Sequence, residues 1–377
     1  MRKFSKLFAA ATTMVAAAAL LAGTVTTASA APNDPPKGIT PQYYDIVGVG
    51  SDTTTPLIDQ ISENYNATVK KHNVNHPWLF SWDAVPPGSH SSAPTTIKPK
   101  AGCPVTTRPN GSTAGWEALA MNTKDGTTGH FCIDFSRSSG ARNPLAPKAG
   151  SGGIAWVTFA KDAVTWATRR ASKGGSNAPA SLTKAQLIGI FTCKTTNWSQ
   201  VGGKAGAIKV YLPQQGSGTL ATWEKFMGIT TVGSCVSQAP EENEGQYAGF
   251  NNPNAVFIYS IGDYVAQTYH SAACGVKPKA GQNLFGCNQT DFLQVNDISG
   301  IAPMTSAKVP TINPKFPADF FRTLYNVVRW TAATKDHIPG VLEPMFSATG
   351  FLCKNPIART DITDYGFINT PTCGSLS

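Results

Sequence analysis

The sequence predicts an α/β fold of two lobes, and three observations carry that expectation. Strand and helix signals alternate along nearly the whole chain, the pattern of a sheet with helices packed on it rather than of a sandwich or a bundle. Three Gly/Ser/Thr turns each stand at a helix N-terminus, two of them directly after an apolar strand. Of the 377 residues, about 347 remain once an export segment of 30 is set aside, enough for two separate cores.

The chain begins with that segment. Arg2, Lys3 and Lys6 form a basic start, an Ala/Leu/Val-rich stretch follows, and Ala28-Ser29-Ala30 makes a small-residue cleavage site before Ala31. Residues 1–30 therefore read as a secretory signal peptide. Its apolar run is short for a membrane anchor. No cysteine stands near its end for lipid attachment, so a freely released, secreted extracellular protein is expected. Loss of the three cations lowers the formal charge from +9 to +6. Such a moderate charge steers anions without identifying one. There is no Lys/Arg run and no interleaving of basic and aromatic residues, which excludes a nucleic-acid partner.

Tyr44 to Val49 is an apolar strand that leaves through Gly48-Val49-Gly50-Ser51-Asp52-Thr53-Thr54-Thr55. Pro56 suits a first helical position, and Leu57, Ile58, Ile61 and Tyr65 follow at helical spacing. The Pro/Ser/Gly-rich stretch from Pro86 to Pro104 reads as a long surface loop tied down through Cys103. Asn110-Gly111-Ser112-Thr113-Ala114-Gly115 then opens a helix through Trp116 and Leu119. After a Pro/Gly/Ser segment from Asn143 to Gly153 comes an apolar strand, Ile154 to Ala160. A helix over Leu182 to Phe191 and a strand over Ile208 to Leu212 lead to the third turn, Gly216-Ser217-Gly218-Thr219, and its helix through Phe226. Ala255 to Ser260 is a buried strand opening onto a helix over Tyr264 to Tyr269. The apolar density of Phe320 to Val328 leaves helix and strand both open. No internal repeat is present.

Each turn combines glycines, which let the backbone approach a bound group, with Ser or Thr hydroxyls and the free N–H groups of a first helical turn. Those ingredients form an anion site that needs no formal positive charge. One such turn is also an ordinary capped connection. Three of them point to convergence on one ligand.

These stretches, with Ile133-Asp134-Phe135-Ser136-Arg137-Ser138-Ser139, Leu182 to Phe191 and Asn197-Trp198-Ser199-Gln200-Val201-Gly202-Gly203, resemble the phosphate-binding proteins of ABC importers. That group lies within the type II periplasmic-binding-protein superfamily. The likeness runs over nearly the whole mature chain, and the Leu182 to Gly203 segment is its most specific part. It implies a ligand cleft between lobes joined by a double crossover, with 31–152 and 298–377 as the first lobe and 153–297 as the second. The Ile154 strand would cross between them, and the chain would return near Val295 to Met304. It implies that Ser51, Asp52, Thr53, Asn110, Gly111, Ser112 and Ser139 line the first lobe, with Gly216, Ser217, Gly218 and Thr219 facing them. The expected partners are inorganic phosphate or a related oxyanion and the importer's membrane permease. The expected state is a monomer with no cofactor, no metal and no catalytic residue.

Two departures stand out. Relatives carry an arginine three residues before the glycine of the second-lobe loop, where this chain has Pro213, and Gln215 stands where a carboxylate is common. They also use an aspartate, as acceptor for the proton of hydrogen phosphate, where this chain has Ser139. Arg137 is the expected replacement for the cation, and Asp52 for the acceptor. Those changes keep a second reading open, another oxyanion or a phosphorylated small molecule in the same fold.

Other features carry less. His72 and His76 have i, i+4 spacing but no evident third metal ligand. Ser217 lies in Gly-Ser-Gly rather than the Gly-x-Ser-x-Gly elbow of hydrolases, so a secreted phosphate-ester hydrolase lacks its constellation. Glu241-Glu242-Asn243-Glu244 reads as a solvated acidic loop. The eight cysteines are even in number and widely spaced in an exported chain, which favours disulfides over metal or redox chemistry. Connectivity stays open in sequence. Pairing of neighbours is the expectation, Cys103 with Cys132, Cys193 with Cys235, Cys274 with Cys287 and Cys353 with Cys373. Each such bridge closes a loop within one lobe and adds roughly 2–4 kcal/mol.

Overall fold

The computed structural model describes residues 34–35, 38–86, 95–148, 153–273, 287–331 and 338–377. The expected signal peptide over 1–30 lies outside the described residues. Among those described, no helix is long and apolar enough to cross a membrane.

The alternation read from the sequence is present. Strand β1 (Ile46–Gly50) leads to helix α1 (Thr55–Thr68), with Pro56 in its first turn. Strand β2 (Leu79–Ser81), helix α2 (Gly111–Ala120) and strand β3 (Phe135–Ser138) complete the first run. Strand β4 (Ile154–Arg169) is 16 residues long, more than twice the apolar stretch that announces it. Helix α3 (Lys184–Phe191) starts in a capping box of Thr183 and Gln186, which satisfies two otherwise free N–H groups. Strand β5 (Lys209–Tyr211), helix α4 (Gly218–Met227), strands β6 (Val236–Ser237) and β7 (Ala255–Ser260) and helix α5 (Ile261–His270) follow. Helix α5 starts earlier than its apolar pattern indicates because the Ser260 hydroxyl accepts from the Asp263 amide and caps it there. Strands β8 (Leu293–Val295) and β9 (Phe321–Arg329), helix α6 (Pro356–Asp364) and strand β10 (Ile368–Asn369) close the chain.

Ten of the strands form one sheet in the order β2-β1-β3-β9-β4-β7-β5-β6, with β8 and β10 also paired to β4. The long β4 is its spine. Its stretch from Ile154 to Ala163 pairs antiparallel with β9, whereas Val164 to Thr168 pairs antiparallel with β7. One half of the sheet, β2, β1, β3 and β9, therefore branches from the other at Ala163 and Val164. Phe321–Arg329 is a strand because it is inserted between β3 and β4 and hydrogen-bonds to both, a placement its apolar density does not reveal.

Each half has its own core. Ile46, Leu57, Phe135, Phe159, Val328 and Phe346 are buried together on the first, and Trp166, Leu187, Phe191, Trp198 and Trp223 on the second. Each large apolar side chain so buried contributes roughly 1.5–3 kcal/mol. The sequence places the return to the first lobe at 298. Ile298, Ile312, Phe316 and Phe320 nevertheless pack in the second core, and Ile298 pairs with Leu182. The chain rejoins the first half of the sheet with β9.

Disulfides join Cys103 to Cys132, Cys193 to Cys235 and Cys353 to Cys373, the neighbour pairing expected. The Cys274–Cys287 pair involves Cys274, which lies outside the described residues.

Candidate functional site

The three turns stand at helix starts, two of them after strands of the main sheet, and the fold brings them together. Ser51 follows β1, and Thr53 lies in a single turn, Asp52–Thr54, ahead of α1. Asn110 precedes α2, and Ser139 follows β3, the neighbour of β1. Ser217 caps α4 from the other lobe, its Oγ accepting from the Thr219 and Leu220 amides at 3.1 Å each. Ser51 Oγ donates to Ser139 Oγ at 2.9 Å. Ser112 Oγ accepts from the Ser139 amide at 3.1 Å. Across the cleft, Thr53 Oγ1 lies 3.3 Å from Thr219 Oγ1, and the Thr113 amide donates to the Gly216 carbonyl at 3.2 Å. Six small hydroxyls from both lobes thus gather in one buried cluster.

Two glycines make that approach possible. A Cβ on Gly218 would sit 2.4 Å from both Ser112 Oγ and Ser139 Oγ and 2.6 Å from the Gly140 nitrogen. Gly111 has φ +91°, a conformation that other residues adopt only under strain. Its missing side chain leaves room for the Gly216 carbonyl.

Arg137 is not brought into the cluster. Its guanidinium is buried in the first lobe, donating from Nε to the Ser51 carbonyl at 2.9 Å and from Nη2 to Thr55 Oγ1 and the Trp82 carbonyl at 3.0 Å each. Nη1 donates to Ser81 Oγ. The cation that touches the hydroxyls is Arg322, near the start of β9. Its Nη1 donates to Thr219 Oγ1 at 2.9 Å and to the Ser139 carbonyl at 3.2 Å, and Nη2 donates to Thr53 Oγ1 at 3.3 Å. Arg322 is aimed by Asp162, its register partner on β4, through an ion pair of 2.7 Å that is almost fully buried. Asp162 is held in turn by Ser260 Oγ at 2.8 Å and the Gly262 amide at 3.0 Å. The guanidinium therefore sits where the two halves of the sheet branch.

The acidic run is the largest departure from the sequence reading. Glu241, Glu242, Asn243 and Glu244 are all buried, and the loop is not solvated. Glu242 lies in the hydroxyl cluster, where its carboxylate accepts from Thr53, from Ser217, from Thr219 Oγ1 at 2.9 Å and from Ser139 Oγ at 3.3 Å. Asn110 Nδ2 donates to Glu241 Oε2 at 2.9 Å. Asn243 Nδ2 donates to Asp52 at 3.4 Å. Asp52 is thus adjacent to the cluster rather than within its hydroxyl contacts. The Glu244 carboxylate accepts from the Glu241 amide at 2.8 Å, and carboxylate oxygens finding hydroxyl and amide donors in this way is what allows an acidic run to be buried.

Desolvation, reinforced by the neighbouring Glu242 carboxylate, pushes the Asp52 carboxyl up to about 7. Burial also pushes Glu244 up to about 7. Desolvation first, then Asp52 and Glu242, raises Asp263 well above the ordinary range. Groups raised in the folded state bind more protons there than in the unfolded chain. Their contribution to stability is complete below the ordinary carboxyl value and is lost as the pH climbs toward 7. Asp125 has the opposite sign, held low by hydrogen bonds from Thr128, Thr127 and His130, and weakens the fold only in stronger acid. The melting temperature is therefore expected to be higher at about pH 5 than at about pH 8. Calorimetric scans at both values check this, and a higher midpoint at the alkaline value counts against it.

Among the described residues, no group of three or more His, Cys, Asp or Glu side chains is arranged to hold a metal ion. His72 is taken up by Asp45 at 2.6 Å and stacks on Trp78.

The model of the PBP superfamily domain matches residues 89–356. Among solved structures, a protein assigned as a phosphate ABC transporter substrate-binding protein with bound phosphate, from Clostridium perfringens, is 14% identical. It covers 86% of this chain and 99% of its own, with a TM-score of 0.52. An ABC-type phosphate transport receptor from Vibrio cholerae is 19% identical over 86% of this chain and 99% of its own, with a TM-score of 0.49. No curated protein matches the sequence. At these identities the likeness to the Clostridium protein speaks for the fold.

Proposed function

Because the chain belongs to the PBP superfamily, we propose that it is an extracytoplasmic solute-binding protein that captures inorganic phosphate between its lobes for an ABC importer. The observation that carries this reading is the cluster of six hydroxyls contributed by both lobes with Arg322 behind it. Small neutral donors spread the charge of a tetrahedral oxyanion over many short charge-assisted bonds. Arg322 is the proposed counter-charge in place of the arginine that Pro213 replaces. Ser51, Thr53, Ser112, Ser139, Ser217 and Thr219 are the proposed ligand donors, with Asn110 and the glycine turns at 111, 216 and 218 shaping the cradle. Asp52 is the proposed acceptor for a ligand proton. The Clostridium perfringens protein of this fold has phosphate bound.

The role is binding rather than catalysis, and the proposed partner is the membrane permease of the importer. The proposed form is a secreted, extracellular monomer. Ser139, standing where relatives have an aspartate, favours a second reading in which the cradle takes another oxyanion.

Calorimetry with phosphate, arsenate and sulfate tests this on the parent chain and on Glu242→Ala, which removes the carboxylate from the hydroxyls. One-to-one binding of phosphate and arsenate is expected, with sulfate weaker by about tenfold or more. Sulfate bound as tightly as phosphate overturns the phosphate assignment. No saturable binding of any of the three to either protein overturns the oxyanion reading.

A further inference from the structure

The place where the proposed ligand would sit is filled by a group of the protein itself. Glu242 receives hydrogen bonds from Thr53 and Ser139 on one lobe and from Ser217 and Thr219 on the other. A hydroxyl has one proton to give. While these four point at Glu242, none of them can donate to a ligand.

The carboxylate is held there by its own lobe. Asn243, at φ +58°, turns the loop sharply, and its carbonyl accepts from Tyr259 and from Gln267 Nε2 at 3.3 Å. Its side-chain oxygen accepts from the Ser260 amide at 3.3 Å. The Glu242 amide donates to Gln214 Oε1 at 2.7 Å. These partners all belong to β7, α5 and the segment before α4. The loop's backbone is thus anchored on the second lobe, and its side chains reach the first: Glu242 to Thr53 and Ser139, Glu241 to Asn110 and Asn243 to Asp52. Arg322, bonded to Thr53 and Thr219, supplies a positive charge one hydroxyl away.

Resting on the phosphate reading above, we propose that Glu242 is an internal anion that closes the two lobes on each other, and that an oxyanion enters only by displacing it. Tethering keeps this competitor at a high effective concentration whatever the solution holds. A successful ligand needs more acceptor oxygens or more charge than one carboxylate offers. Glu242 is then a selectivity determinant, passing a dianionic tetrahedral oxyanion and rejecting simple carboxylates.

Phosphate titrations of the parent chain, Glu242→Gln and Glu242→Ala, with small-angle scattering of each ligand-free protein, test the proposal. Both variants are expected to bind phosphate tighter by on the order of tenfold or more. Ligand-free Glu242→Ala is expected to show a larger radius of gyration than the parent and to contract when phosphate is added. Circular dichroism confirms folding, and Glu242→Gln, similar in size to the parent side chain, carries the comparison if the alanine variant misfolds. Equal or weaker phosphate binding by folded variants overturns the proposal, as does a ligand-free Glu242→Ala as compact as the parent. If no protein binds phosphate while Glu242→Ala alone expands, the internal closure stands and the phosphate reading falls.

Discussion

Arg322→Met is expected to weaken phosphate binding by about a hundredfold or more and to destabilise the ligand-free fold by roughly 3–5 kcal/mol. Both effects arise from one side chain with two duties. Arg322 touches Thr53 and Thr219 from behind, so its charge strengthens hydroxyls that would face the ligand. It also neutralises Asp162, whose side chain is fully buried. Methionine fills much of the volume but leaves that carboxylate with only neutral donors, Ser260 and the Gly262 amide. Losing one partner of a buried ion pair costs far more than an exposed pair is worth, because the remaining charge stays desolvated. Arg322→Lys should recover part of the stability and less of the binding, since an ammonium cannot reproduce the planar fork that spans Asp162 and two hydroxyls. Calorimetry with phosphate and a denaturant titration measure the two effects separately. An Arg322→Met protein that folds and binds like the parent would remove the cation from the proposed site.

Gly218→Ala is expected to lower phosphate affinity by roughly tenfold to a hundredfold while changing the unfolding midpoint much less. The added methyl would meet Ser112, Ser139 and the Gly140 nitrogen, all on the opposite lobe, at 2.4–2.6 Å. The two serine oxygens can rotate away only by giving up their places in the cluster, and the backbone nitrogen cannot. Inserting a methylene into a packed site costs typically about 1–3 kcal/mol, and each 1.4 kcal/mol or so is a factor of ten in affinity. The clash exists only when the lobes meet, so an opened molecule accommodates the alanine and each lobe keeps its own core. Unchanged phosphate affinity in Gly218→Ala would show that ligand binding does not need this contact.

The legible parts of the site are those written in neighbouring residues. Thr53, Gly111 and Ser217 announce themselves because a glycine or hydroxyl between an apolar strand and a helical run has a local meaning, either a tight turn or a cap. Ser139 was read only through resemblance, as were the crossover between the lobes and the point of return. Arg322 was not, although a charge at the head of the apolar run Phe321–Arg329 is itself a signal, since strand interiors seldom bury one unpaired. Its partner Asp162 lies 160 positions away, and nothing local in either stretch names the other. Arg137, two residues before Ser139, pointed the sequence reading to the wrong neighbourhood for its cation. The Gly50, Ser51 and Trp82 carbonyls were free to claim it inside the first lobe.

Taken alone, the amino-acid order decided most kinds of element and the places where strands end in hydroxyl-bearing turns, and it made neighbour pairing of the cysteines the expectation. Each depends on interactions within a few residues or on loops short in chain length. Tertiary structure decided which charges face which donors. It carried Arg322 to the branch of the sheet, withdrew Arg137 from the cleft, and buried an acidic loop that composition assigns to solvent. The reason is physical: a charge goes where its desolvation is compensated, and the donors that compensate it come from distant segments that only folding places in contact.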